Sequence, residues 1–326
     1  MSPTPPKRST PRLVLRLLRV PLALLVLLVL VGGGTYLLAP GALLRADAWR
    51  QALAAHLATR TVQIGDTRWS YYEGGDGATL VLLHGFDMDK TAWLPVAARL
   101  QPHFHLVIPD LPGWGHSSRH AGDDYGIPAQ ARRLQAFVQT LGLGHVVLVG
   151  HSMGGAIAGV YAAEHPEHVA GLVLVDSFGL KSSPTDFERA VLAGSNPYVL
   201  ADRAEFRQLL QAAFDQPPAV PGRIADVFVD RSQDSRDFLD RTLDALRSPD
   251  ERTILQQHLG ELRMPVLGLW CRDDKIIDLS ALEALRQGLT HASSIDTSVI
   301  NGCGHVPQME KPRAVAQIIS GFVIAN

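Results

Sequence analysis

Residues 145–155 read HVVLVGHSMGG: an apolar run, His145 to Val149, then Gly-His-Ser-Met-Gly-Gly, with helical composition following from Ala156 to His165. A serine flanked by Gly150 and Gly154 has two readings. It is a nucleophile held on a strained strand-to-helix turn, or a small residue in a tight, glycine-rich connection. Strand before and helix after is the context that the first reading requires. The glycines fit it, because side chains beside such a turn would collide, and the N-terminus of a helix starting near Met153 favours a developing oxyanion.

Three stretches elsewhere supply what Ser152 lacks. LVLLHGF (80–86) ends an apolar strand with His-Gly and leaves the Phe86 N–H placed to share an oxyanion site with the Met153 N–H. GCGHVPQMEKP (302–312) presents His305 after the last strand, and CRDDKIID (271–278) offers Asp273, Asp274 and Asp278 after the strand before it. A serine hydroxyl attacks only when a base removes its proton, and the base needs a carboxylate to fix its tautomer and stabilise its cation. The chain order is therefore serine, acid, histidine. His84 is expected to order the oxyanion loop, His151 flanks the site, and His116 either lines the pocket or lies on the surface. Asp176 reads as a strand-end cap.

Around these stretches the chain alternates short Val, Ile and Leu runs with helical periodicity. Strands are expected at Arg68–Glu73, Thr79–Leu83, His105–Ile108, His145–Val149, Ala170–Val175, Val266–Trp270 and Ile295–Ile300. A helix is expected at Ala129–Leu141, where Leu134, Phe137, Val138 and Leu141 share one face. Runs such as VVLVG and LVLVD suit a parallel sheet buried on both faces. The alternation breaks at about 178–250, a proline-punctuated stretch with amphipathic pieces, read as an inserted helical cap at the C-terminal sheet edge where ligands bind.

The N-terminus has its own character. Every charged residue up to Arg45 is basic, and residues 20–38, VPLALLVLLVLVGGGTYLL, carry no charge over 19 positions. That length suits a membrane span. The bias of basic residues puts tail 1–19 in the cytoplasm and the rest of the chain outside, in a periplasmic or extracytoplasmic location. A cleaved signal peptide and a buried core helix are the competing readings. Residues 39–60 form a juxtamembrane helix or linker in which Ala46, Trp49, Leu53 and Leu57 share a face, and the catalytic domain occupies 61–326. The full 326-residue chain has net charge −2 and its basic excess is confined to the N-terminus, which argues against nucleic acid as a partner. Two cysteines, Cys271 and Cys303, are expected as buried free thiols rather than a bridge. No cluster has metal-ligand spacing and no phosphate loop stands out, so neither metal nor cofactor is expected.

From about Thr61 to the C-terminus the sequence resembles the α/β-hydrolase superfamily, in the order and spacing of LLHGF, PDLPGWGHSS, GHSMGG, LWCRDD and GCGHVPQMEKP. The resemblance implies an α/β fold with a mostly parallel, doubly wound sheet, with Ser152 as nucleophile, Asp274 as acid and His305 as base. Phe86 and Met153 become the oxyanion donors and substrate-binding positions. Family members usually carry Gly three residues before the acid; Cys271 stands there, Asp273 is the alternative acid, and Asp176 holds a position that is the acid in some relatives. HGFDMDKTAW and HLVIPDLPGWGHSS behind a membrane anchor look like monoacylglycerol lipases and related bacterial lipases. The implied activity is hydrolysis of lipophilic carboxylic esters through an acyl-enzyme. Carbon–carbon bond hydrolases, perhydrolases, acyltransferases and a non-catalytic binder of hydrophobic ligands remain alternatives, and no protein partner is implied.

Overall fold

The computed structural model describes the backbone from residue 11 and side chains from residue 24 to the C-terminus. Eight strands form one sheet: β1 (Ala58–Ile64), β2 (Thr67–Gly74), β3 (Thr79–Leu83), β4 (His105–Pro109), β5 (Val146–His151), β6 (Val169–Val175), β7 (Val266–Cys271) and β8 (Ile295–Ile300). Their order is β1-β2-β4-β3-β5-β6-β7-β8. The β1–β2 and β2–β4 pairings are antiparallel, and every pairing from β4 to β8 is parallel. Alternation along the strands divides the core between the two faces. Val81 and Leu83 of β3 and Leu172 and Leu174 of β6 enter one cluster; Leu80, Leu82, Val173 and Val175 enter the other.

The expected strands are all present, with ends moved by a residue or two. The edge strand β1 is additional: ATRTVQI is mostly exposed and too polar to register as a strand on hydrophobicity. The helices include α1 (Pro11–Leu38), α2 (Pro40–Ala54), α3 (Leu94–Leu100), α4 (Ile127–Thr140), α5 (Met153–Glu164), α6 (Asp186–Leu192), α7 (Arg203–Ala213), α8 (Gly222–Asp234) and α9 (Arg236–Leu246), the last four between β6 and β7, with shorter helices after α9 and a C-terminal helix, Pro312–Ala325. The span expected to be a cap has two characters. Helix α9 sends Phe238, Leu239, Leu243 and Leu246 into the main core, whereas α6 buries nothing and α7 buries only Phe206.

Two expectations concern the N-terminal segment. Among the described residues no single helix is long and apolar enough to cross a membrane; Leu24–Leu38 and Pro40–Ala54 meet that test only as a pair bent by 116°. Residues 1–10 of the expected tail, and the side chains of 11–23, including the start of the expected span 20–38, lie outside the described residues. In α2 the small residue Ala52 packs on the domain while Trp49 and Leu53 of the expected apolar face stay exposed.

The cysteines also depart from expectation: Cys271 and Cys303 form a disulfide, with Cα atoms 5.4 Å apart. The sheet explains it. β7 and β8 are parallel neighbours with Cys271 opposite Ile300, so the turn leaving β8 brings Cys303 back over the end of β7 within bonding range.

Candidate active site

Ser152 sits between β5 and α5 with φ 52° and ψ −119°, a conformation that a non-glycine residue rarely adopts. Strain of this kind costs on the order of 1–3 kcal/mol and persists only where the surroundings enforce it. They do so on both sides: Ser152 N donates to Val175 O at 3.0 Å, and Ser152 O accepts from Gly155 N at 2.9 Å and Phe178 N at 3.0 Å. A Cβ on Gly150 would meet the Gly154 carbonyl, and one on Gly154 would meet the His84 and Leu83 carbonyls. Both glycines of the motif are thus required by close backbone approach.

The loop after β3 passes directly over this turn. A Cβ on Gly85 would lie 3.1 Å from Ser152 Cβ, so Phe86 follows immediately beside the serine. Among the described residues no hydrogen bond uses the Phe86 N–H or the Met153 N–H, and both adjoin Ser152. His84 pins this loop as expected: its Nε2 accepts from Leu111 N at 3.0 Å, which leaves Nδ1 to donate to Gly85 O at 2.8 Å. Burial lowers the basicity of the His84 imidazole, in keeping with the neutral ring these bonds require.

Across the turn, Asp274 and His305 meet. His305 Nδ1 donates to Asp274 Oδ2 at 2.8 Å, while Asp274 Oδ1 accepts from Ile276 N at 2.8 Å and Ile277 N at 3.0 Å. Both side chains are buried. Asp273 instead accepts from Gly302 N and Asp278 from Ser280 N, so neither competes for His305. His151, only flanking in the sequence, donates from Nε2 to the His305 carbonyl at 2.6 Å. Burial first, and the neighbouring His305 second, hold His151 well below the usual imidazole range.

Ser152 and His305 both line a cavity of about 1150 Å³, together with Phe86, Tyr198, Phe206 and Leu210. The Ser152 hydroxyl has no hydrogen-bond partner among the described residues and opens onto the cavity that His305 also lines. A smaller space of about 100 Å³ also reaches Ser152, walled by Met153, Phe187, Val191 and Leu246. Tyr198 borders both spaces and packs against Phe86, ring centroids 4.6 Å apart. A serine, a polarised imidazole, two unused N–H groups and an apolar cavity can together carry out acyl transfer.

Several site residues escaped the sequence reading. Lys90 is buried and its ammonium pairs with Asp110, also buried, while donating to Ser70 Oγ at 3.0 Å. Asp110 further accepts from Lys90 N and His116 N, each at 2.8 Å, which ties the 109–118 loop to the segment after the oxyanion loop. The His116 ring itself is on the surface. Asp87 has φ 53° and lines the large cavity with its side chain open to solvent. The signal was the repeated acid and lysine in FDMDK, which has no periodicity to interpret. At the far end of α5, His165, Glu167 and His168 come close enough to offer three metal-ligating atoms, a cluster the sequence spacing did not single out. It lies outside the site.

A β-strand–serine–helix turn under a cap, with an acid and a histidine from the ends of the last two strands, defines the serine-dependent class of α/β enzymes. Residues 78–312 match the family described as alpha/beta hydrolase fold. The chain belongs to that family. It is 31% identical over 302 residues to the monoacylglycerol lipase ABHD6 of Homo sapiens, covering 89% of each chain. It is 31% identical over 251 residues to Lipase 3 of a Moraxella species, covering 76% of this chain and 77% of the relative. A solved membrane phospholipase A, described as a bacterial virulence factor, superposes with a TM-score of 0.82 at 33% identity, covering 94% of this chain and 98% of its own.

Proposed function

We propose that this protein is a serine hydrolase of lipophilic carboxylic esters, acting on monoacylglycerols or medium-chain acyl esters. In this account Ser152 Oγ attacks the ester carbonyl carbon while His305 Nε2 takes its proton. The oxyanion of the tetrahedral intermediate accepts from the Phe86 and Met153 N–H groups. Collapse expels the alcohol, which receives the proton from His305 and leaves an acyl group on Ser152. Water, deprotonated by the same imidazole, releases the acid and restores the hydroxyl. Asp274 stays ionised and holds the His305 tautomer.

The observation that carries this reading is the strained Ser152 turn opening, beside the Asp274–His305 pair, into a large cavity with aromatic and aliphatic walls. Relatives named as lipases support a lipid ester as substrate. Membrane association is supported by the exposed apolar side chains from Leu24 to Leu38 and by the likeness to a membrane phospholipase. The basic tail ahead of that segment favours a cytoplasmic N-terminus. The Cys271–Cys303 disulfide favours an extracytoplasmic catalytic domain, since such bonds persist in oxidising compartments.

Turnover of p-nitrophenyl esters from acetyl to palmitoyl, and of a monoacylglycerol, tests the proposal. Longer acyl chains should be preferred, and Ser152→Ala should lower kcat by about a thousandfold or more. Equal turnover of acetyl and long-chain esters contradicts a lipophilic substrate; near-normal turnover by Ser152→Ala removes the serine from the mechanism.

A further inference from the structure

Beneath the Asp274–His305 pair lies a second acid that the proposed mechanism does not use. Asp176 follows β6, is fully buried, and sits at φ 43° with its backbone N–H donating to Leu269 O at 2.9 Å. Its Oδ1 accepts from Cys271 N at 2.9 Å, but its buried Oδ2 has no hydrogen-bond partner among the described residues. The charged groups facing it are acids: Asp274 from the loop after β7, within hydrogen-bonding reach, and Glu310 from the helix Pro307–Glu310. An ionised carboxylate here would be a second negative charge against Asp274 with no cation to offset it.

One proton resolves the conflict, and the hydrogen bonds decide where it goes. Asp274 already accepts three donors, Ile276 N, Ile277 N and His305 Nδ1, all of which favour its charged form. Asp176 accepts one. Burial, then the neighbouring Asp274, push the Asp176 carboxyl well above the usual carboxylate range.

The geometry points to Asp176 as a positioning residue: a neutral carboxylic acid that donates its Oδ2 proton to the Asp274 carboxylate and so fixes the acid that orients His305. The inference rests on the proposed roles of Asp274 and His305. Asp176 also grips the backbone of Cys271, whose disulfide partner Cys303 precedes His305 by two residues. One buried acid thereby braces both loops. The donated bond spreads part of the Asp274 charge, so Asp274 stabilises the imidazolium less than an unshared carboxylate would. Removing the donor leaves that charge concentrated on the His305 side, and the acidic limb of the kcat/KM profile moves to higher pH.

The test is the pH profile of kcat/KM on p-nitrophenyl butyrate for the wild type, Asp176→Asn, Asp176→Ala and Asp274→Asn. Asn keeps both bonds, its carbonyl accepting from Cys271 N and its amide donating to Asp274. Asp176→Asn is expected within about threefold of wild type with the acidic limb unmoved, and Asp176→Ala about tenfold lower or more with the limb displaced upward. Infrared difference spectra of wild type against Asp176→Asn at pH 8 should show loss of one protonated carboxylic-acid carbonyl band, a readout that does not depend on the Ala variant folding. A large loss in Asp176→Asn, an acidic limb that moves downward, or no lost protonated band overturns the inference. If Asp274→Asn itself leaves activity intact, it is the triad assignment that fails; loss in Asp274→Asn alongside an altered Asp176→Asn isolates the failure to Asp176.

Discussion

The floor of the cavity and its roof are built in opposite ways. On the floor, every element that touches Ser152 is locked: buried strands, a disulfide, a buried Lys90–Asp110 pair and a chain of side-chain to backbone hydrogen bonds. The roof, α7 and α8, rests on a small cluster of its own, Leu200, Phe206 and Ala225, stiffened by Phe206 stacking on Phe228 at 5.1 Å. Its ion pair between Arg203 and Asp226 is partly exposed, and such pairs contribute at most about 1 kcal/mol. Chemistry requires placement within tenths of an ångström. Selection and admission of a substrate do not, and a loosely held roof is free to adjust to what enters.

Three variants sharpen or break this contrast. Lys90→Met is expected to cost the most, about 3–5 kcal/mol of stability, because Asp110 would be left buried and unpaired. Thermal unfolding measures it, and an unchanged Tm would mean that the floor is not held as described. Paired Cys271→Ala and Cys303→Ala substitutions should cost roughly 3–4 kcal/mol by the loop-closure argument for 32 residues, and should lower kcat because the acid and base loops lose their tie. Stability lost with kcat intact would show that the disulfide supports the fold but not the site. Smallest is Tyr198→Ala, at the join between floor and roof, where the ring packs on Phe86. It should merge the two spaces beside Ser152 and change the palmitoyl-to-butyryl ratio of kcat/KM by about tenfold or less, roughly 1 kcal/mol, with little effect on Tm. A fall in kcat on all esters alike would place Tyr198 with the floor.

The floor was also the legible half. Near-continuous apolar runs such as VVLV mark buried parallel strands, and the glycines beside Ser152 are dictated by contacts that no other residue permits. Position and spacing offered His305 and left Asp273, Asp274 and Asp278 open, and the family resemblance was needed to single out Asp274. What the sequence hid depends on contacts between distant segments. Cys271 and Cys303 pair because β7 and β8 are adjacent, which no local pattern states. Lys90 meets Asp110 from 20 residues away, and its burial runs against the usual preference of lysine for water. The roof was readable as helical but no further: Thr185 accepts from Glu188 N and Asp202 from Ala204 N and Glu205 N, so the caps are local signals. How the capped helices sit over Ser152 is set by apolar contacts without a distinctive pattern. The polar edge strand β1 gave no signal because half of its pairing capacity and most of its side chains face water.

The central claim is that Ser152 is the acylated residue. Treating the detergent-solubilised protein with a fluorophosphonate probe and locating the adduct by mass spectrometry tests it most directly. The account predicts one adduct, on Ser152, formed in step with loss of esterase activity and absent from Ser152→Ala. Continued ester turnover without labelling, or an adduct on another residue that abolishes activity, would contradict it.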